Sequence, residues 1–563
     1  MNDLRPKDGV IRVIPLGGVG EIGMNCCLIE YNGEIIMVDC GQMMPDEEML
    51  GIDYVVADIS YVLDRIDRFA GIVLTHAHED HIGGLPYILP QLPENTPVYG
   101  SELTVALLKE KLREHRLSPN LKLFHARTRF AMGKSFMIEP LAVTHSMMDA
   151  YALAISTPIG TVIHTGDFKM DPCPMDGVGF DFLGFAKYAD GDDGGILALL
   201  CDSTNADRPG NSPSESLVYP TLERLIREAT GQTIMCTFAS SLHRIQSVLN
   251  IAAEQNKIVF PAGLNMERNI RVAAAVKALE IPCRYEDNLD RLRDYPANRR
   301  LILTTGSQGE PLSALTRMAL DTHKTVTIQP GDTVIHSARL IPGNEKAIYR
   351  MMNHLIRRGA KVYYPGNTTN IHASGHAYRD DIRHLLNLTN PRFLVPMHGE
   401  YRHMKANAEL AMEAGMLEDE IQIIENGLCL EIGPNHMQVV GRVPHGRVFI
   451  DGKGIGDVEE VVIRDRRYLA DDGVIIVILS VDRETGEVLG GPYLHSRGFA
   501  SEEEDQEMMT EGAKVVLDAY LDIAAEAKEE SAVVQQVVKK ALKDFVKKKV
   551  RRFPVILPVI MEI

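Results

Sequence analysis

Thr75-His-Ala-His-Glu-Asp-His-Ile-Gly-Gly84 decides the reading of this chain. The apolar residues 71–74 lead into it and read as a strand. Four side chains with ligand chemistry, His76, His78, Asp80 and His81, fall within six residues. In extended backbone, alternate side chains share a face, so His76 and His78 can grip one ion together. Asp80 and His81, opening the next turn, can serve a second ion. Nitrogen and carboxylate donors without thiolate suit zinc, and manganese remains open.

A metal pair needs further donors. His145 follows the strand-like residues 141–144, Asp167 closes a His-Thr-Gly-Asp turn after residues 161–165, and His398 follows residues 393–397. Each stands at the end of an apolar strand, as expected where loops along one edge of a layered fold converge on a site. Asp167 has the chemistry to bridge two ions. Taken singly, each residue could be structural; beside the first cluster they complete a metal site. Gly18-Val-Gly20-Glu-Ile-Gly23 matches the dinucleotide-binding fingerprint, but that motif needs a following helix to hold the pyrophosphate. Met24-Asn25 and the hairpin signal Asn32-Gly33 follow instead. These glycines are expected to let the backbone turn tightly beside the metal site.

At 563 residues, the chain should hold more than one domain. With 45% hydrophobic and 24% charged residues, it has the composition of a soluble globular protein. No apolar run reaches the roughly 18 residues of a membrane span. The start, Met1-Asn-Asp-Leu-Arg-Pro-Lys7, lacks a signal-peptide pattern. The eight cysteines form no C-x-x-C pair, which fits a reducing cytoplasm. The net charge of −18 argues mildly against nucleic acid, although binding depends on the local field. Acidic residues gather at 502–505, and eight Lys/Arg fall within residues 539–552. That basic run is either a solvated helix face or a binding face. Strands are expected at 10–16, 27–31, 34–38 and 474–481, and helices at 216–229, 242–255, 268–279 and from about 505. Past Arg442, the chain changes character.

The motifs also match a family pattern. The His76–His81 run, the isolated His145 and Asp167, Asp202-Ser-Thr-Asn-Ala206, His372-Ala-Ser-Gly-His376 and Pro396-Met-His398-Gly-Glu400 resemble the metallo-β-lactamase superfamily in its β-CASP nuclease branch. Within that branch the chain resembles the ribonuclease J family over nearly its whole length. Asp39, in Val-Asp-Cys-Gly, matches an early aspartate that supports the ligand loop in this fold. Ala77 departs from the glycine often found there, without touching a ligand.

The resemblance implies an α/β protein. A metallo-β-lactamase αββα sandwich would span residues 1–208 and 366–448, a β-CASP α/β domain 209–365, and a small C-terminal α+β domain 449–563. Arg464-Asp-Arg-Arg467 and Ser496-Arg-Gly-Phe499 in this last domain resemble the family, which dimerises through the region. A homodimer or homotetramer and a place in an RNA-degradation complex are therefore expected; the tail could equally be a binding platform.

The implied division of labour gives His76, His78 and His145 to one ion, Asp80, His81 and His398 to the other, and Asp167 to both. Two zinc ions per subunit are expected, with manganese or magnesium as alternatives. Asp80, Asp202 and His376 would be catalytic, His376 serving either as general acid to the leaving 3′-oxygen or as a phosphate ligand. The segment His372, Ala373, Ser374, Gly375 and His376 would bind phosphate, as would Ser240, Ser241 and His243 before a helix. Taken alone, Ser240 could be a plain N-cap. The expected substrate is single-stranded, 5′-monophosphorylated RNA, trimmed from its 5′ end and also cut internally, in RNA maturation and mRNA decay. Thr305-Gly-Ser-Gln-Gly-Glu310 is a polar turn without an assigned role. The competing readings are a thioesterase or lactonase on the same fold and an inactive scaffold. The long insertion argues against the first, and the complete ligand set argues against the second.

Overall fold

The computed structural model describes residues 7–46, 48–189, 195–341, 343–452, 454–456, 460–483, 485–499, 502–523 and 531–563. The residues before Lys7, read above for a leader, lie outside that set, as do the side chains of the acidic run 502–505. The chain forms two units, Met1–Met43 with Val55–Val448, and Met44–Tyr54 with Phe449–Ile563. Met44–Tyr54 therefore groups with the tail rather than with the residues beside it in sequence. Asp53 N–H donates to the Ile450 carbonyl at 2.8 Å, and Arg466 donates to the Leu50 carbonyl at 3.0 Å.

In the first unit, an eight-stranded sheet runs in the order His436–Arg442, Leu428–Gly433, Ile11–Gly17, Cys26–Tyr31, Glu34–Val38, Phe69–Val73, Pro97–Gly100, Asn120–Leu123. The hairpin at Asn32-Gly33 forms because both residues take positive φ, 49° and 77°, as its turn requires. A six-stranded sheet runs Phe130–Met132, Phe136–Val143, Ala150–Thr157, Gly160–His164, Ile196–Asp202, Phe393–Met397. Ile11, Val13, Ile29 and Ile36 of the first sheet share one buried core with Ile138, Leu153, Ile155 and Val162 of the second. The outer face of the second sheet packs against helices Phe182–Ala189, Arg379–Thr389 and Tyr401–Glu413 through Phe185, Ile382, Leu385 and Leu410. This layering is the expected sandwich.

Between its two stretches of sequence stands a third sheet, of six parallel-paired strands: Arg284–Tyr285, Ile258–Ala262, Arg300–Thr304, Thr233–Cys236, Thr333–His336, Lys361–Tyr363. Helix Tyr219–Glu228 leads into the first of them, and crossover helices join others, including Leu242–Glu254, Leu264–Ala275 and Glu345–Arg357. Parallel strands all point one way, so the loops after Cys236, Thr304 and His336 open at one end of the sheet.

The second unit centres on Val474–Val481, antiparallel to Val488–Arg497 and parallel to Val555–Glu562. Its alternate residues Ile475, Val477 and Leu479 are buried with Val516, Tyr520, Val538 and Leu542 of helices Glu502–Leu521 and Ser531–Val550. No helix among the described residues is long and apolar enough to cross a membrane.

Candidate functional site

Strand direction gathers the donors. Gly160–His164, Ile196–Asp202 and Phe393–Met397 are mutually parallel, so Asp167, Asp202 and His398 come off the same end of the second sheet. Phe136–Val143 lies two antiparallel steps away and delivers His145 to that end as well. The His76–His81 run enters from the end of Phe69–Val73 in the opposing sheet.

Two donor sets result. His78 Nδ1 lies 3.0 Å from His76 Nε2 and 3.1 Å from His145 Nε2, and Asp167 Oδ2 lies 3.7 and 3.8 Å from the latter two nitrogens. In the second set, His81 Nε2 is 3.6 Å from Asp80 Oδ2 and 3.3 Å from Asp167 Oδ2. His398 Nε2 there is 3.5 Å from Asp80 Oδ2 and 3.7 Å from Asp167 Oδ1. Asp167 belongs to both.

The arrangement fits divalent cations. Nitrogens sharing one zinc lie roughly 3.3 Å apart, close to the spacing found here. Asp167 Oδ1 is buried with no hydrogen-bond partner among the described residues, an atom left for a cation. Burial drives His76 and His145 well below the usual imidazole range and His78 down to about 4, so these rings stay neutral with lone pairs available. Burial also opposes charge on Asp167 and Asp80. His398 and His81 outweigh it at Asp167, and His81 leads at Asp80, holding both carboxyls below their ordinary values. His81 and His398 are raised in turn, because Asp167 and its carboxylate neighbours outweigh desolvation. The thiols nearby are no competitors, since burial pushes Cys27 up to about 12.

Outer contacts fix the rings. Asp39 accepts from His81 Nδ1 at 2.7 Å and from the Thr75 N–H and hydroxyl at 2.8 Å each, the supporting role expected of it. His145 Nδ1 donates to the Gly375 carbonyl at 2.6 Å, and His398 Nδ1 meets the Thr204 hydroxyl at 2.6 Å. Each contact leaves the other nitrogen for the centre. A Cβ on Gly375 would stand 2.7 Å from His145 Cε1, so glycine is what lets this segment approach. The fingerprint-like glycines meet no helix. Gly18 has φ 84°, and a Cβ there would strike Asn25, whose Nδ2 lies 3.3 Å from Asp80 Oδ2.

A third group forms beside the two sets. His376 Nδ1 donates to Asp202 Oδ2 at 2.8 Å, and His376 Nε2 points toward Asp167 Oδ2 at 3.9 Å. Asp202 Oδ1 accepts from the Thr204 N–H at 2.9 Å and from its hydroxyl at 2.8 Å.

The remaining expected residues sit where the inserted sheet meets the segment before His376. The helix starts at Leu242, so His243 and Arg244 lie inside its first turn rather than ahead of it. Ser241, not Ser240, is the N-cap residue, and it makes no side-chain capping bond. Arg244 is fully buried and paired with Glu215 at 2.9–3.1 Å, and it also donates to Ser337 and to the Ile371 carbonyl. It clamps the segment in place and is not free to meet a ligand. The Ser374 hydroxyl accepts from Asn205 Nδ2 at 2.9 Å, and Ala373 is buried. The Nδ1 atoms of His243, His336 and His372 are buried with no partner among the described residues. Burial lowers His372, and Arg244 and Arg339 add to that. Sequence reasoning gave no role to Thr204, Asn205, Asn25, His336 or Arg339. The first two lie inside the Asp202 motif, but nothing local marks the others.

Fold and site together define a metal-dependent hydrolase of the metallo-β-lactamase type. Family models agree: the metallo-β-lactamase superfamily matches residues 19–190, the ribonuclease J β-CASP domain 230–355, the Zn-dependent metallo-hydrolase RNA specificity domain 366–423 and the ribonuclease J C-terminal domain 461–563. Ribonuclease J2 of Bacillus subtilis is 37% identical over 98% of this chain and 99% of its own. Ribonuclease J of Thermus thermophilus is 40% identical over 99% of this chain and 96% of its own. A crystal structure of a protein of unknown function from Enterococcus faecalis covers 77% of this chain and 100% of that one at a TM-score of 0.51 and 17% identity, a likeness of fold. The chain belongs to the ribonuclease J family.

Proposed function

We propose that this protein hydrolyses RNA phosphodiester bonds with a pair of divalent cations, trimming 5′-monophosphorylated single strands from the 5′ end and also cutting internally. Family membership makes it a metal-dependent hydrolase acting on RNA. The finer reading is carried by one observation: two donor sets share Asp167, with the Asp202–His376 pair directly beside them. His76, His78 and His145 would hold one ion, Asp80, His81 and His398 the other, and zinc suits both sets. Such a pair supplies Lewis acidity and activated water for in-line displacement at phosphorus. Asp202 orients His376 through Nδ1, and in the imidazolium form Nε2 would hold the proton delivered to the leaving 3′-oxygen. His372, Ser374 and Gly375 line the approach for phosphate, and Ser240, Ser241 and His243 complete a pocket for a terminal 5′-phosphate. On this reading, residues 1–208 with 366–448 form the catalytic domain, residues 209–365 cap it, and residues 449–563 assemble a homodimer or homotetramer. It would act in the cytoplasm on maturing and decaying transcripts, within an RNA-degradation complex.

The test is incubation with 5′-monophosphorylated RNA with and without chelator, alongside elemental analysis. Mononucleotide release that stops on chelation, with two zinc ions per chain, is the expected result. Intact RNA together with thioester or lactone hydrolysis would overturn it.

A further inference from the structure

Beside the donor cluster, a cavity of about 430 Å³ opens in the first unit. Buried apolar side chains, Leu16, Val19, Met24 and Met404, make its floor. The Tyr401 ring, 60% exposed, stands on its rim with Arg442 and Arg447. Both arginines are already matched by carboxylates lining the same cavity. Arg442 pairs with Glu425 at 3.0 Å and Arg447 with Glu21 at 2.9 Å. A site balanced in this way has little pull on a free anion. Its apolar floor, exposed aromatic ring and flanking guanidinium planes favour a neutral, flat group that stacks.

Its walls are the same segments that carry the catalytic cluster. Asn25 Nδ2 lies 3.1 Å from His81 Nε2, and the adjacent Met24 lines the cavity. His398 is in the cluster, and Tyr401 and Met404 follow it along the chain. Val19–Gly20 pairs in parallel with Gly399–Glu400 and ties the two walls together. The segment from His372 to His376 meets the cluster through His145 and Asp202 and is tied to the inserted sheet by Arg244, whereas the cavity is lined only by residues 16–24, 401–404, 425–426 and 442–447, outside that sheet and segment. An RNA strand with its 5′ nucleotide on the first side would run out past the second.

We propose that this cavity is a nucleobase subsite that stacks the base on the 3′ side of the scissile bond, with Tyr401 as its platform. The inference rests on the RNA reading above. Stacking of single-stranded bases on aromatic rings tolerates any sequence, so the subsite would hold the retained strand without selecting it.

The experiment compares the full-length protein and Tyr401→Ala on a 5′-monophosphorylated oligoribonucleotide, and on the same oligonucleotide made abasic directly 3′ of the first scissile bond. Tyr401→Ala should raise KM about tenfold on the intact strand. On the abasic strand it should change nothing, and Tyr401→Phe should restore binding. Equal effects on both strands, or none on either, with RNA cleavage by the unaltered protein intact, would overturn the subsite alone. Failure of the unaltered protein to cleave RNA would overturn the RNA reading and the subsite with it.

Discussion

The donor cluster and the buried histidines His243, His336 and His372 are held in opposite ways, and the proposed function places His243 and His372 around a phosphate pocket. In the cluster, His81, His145 and His398 each spend one nitrogen on a protein partner and aim the other inward. His243, His336 and His372 each bury an Nδ1 with no hydrogen-bond partner among the described residues. An unsatisfied buried polar atom costs about 1–3 kcal/mol. The cluster is thus complete but for cations, and its geometry is set before substrate arrives. The second group leaves three imidazole nitrogens for a ligand to satisfy. On the proposed function, the difference would separate chemistry, prepared in advance, from end recognition, finished by the ligand.

Removing one ligand should break the first half of that contrast. His76→Ala is expected to cut RNA cleavage at least about a thousandfold and to lower bound metal, while far-ultraviolet circular dichroism stays native. Full activity would refute the ligand role. Asp202→Asn keeps the shape of the His376 partner but removes its charge and its ability to fix the tautomer. A fall in kcat of roughly 10²–10⁴-fold with metal content unchanged is expected, and loss of metal instead would make Asp202 a ligand support rather than an orienting group. Asp39→Asn acts one shell further out. Metal affinity should drop about 10–100-fold in chelator competition, with activity recovered at high metal concentration.

How much of this was legible in the sequence follows the same divide. The His76–His81 run could be read directly, because ligands two residues apart in extended backbone share a face. His145, Asp167 and His398 were readable because apolar strands announce their own ends. The clamp at Arg244 was not. Its partners Glu215, Ser337 and Ile371 come from distant stretches of chain, and the parallel sheet of the insertion brings them together. His336 escaped notice for the same reason, being an ordinary strand residue until the strand ends are gathered. Met44–Tyr54 gave no sign of grouping with the tail, since a short connecting segment carries no periodicity of its own.

The weakest expected effect tests the second half of the contrast. Ser240→Ala combined with His243→Ala removes a hydroxyl next to the helix N-cap and one of the unsatisfied imidazoles. If the pocket is completed by a terminal phosphate, the loss should fall on substrates that present one. The expected outcome is about a tenfold drop in trimming of 5′-monophosphorylated linear RNA, near the lower end for a charge-assisted hydrogen bond, with little change on circular RNA. His243 is buried, and truncating its ring leaves a cavity that lowers the melting temperature, so the rates are compared at a temperature where the double variant remains folded. Equal losses on linear and circular RNA would mean that Ser240 and His243 serve the scissile phosphate or the fold, and the contrast between a prepared cluster and a ligand-completed pocket would then collapse.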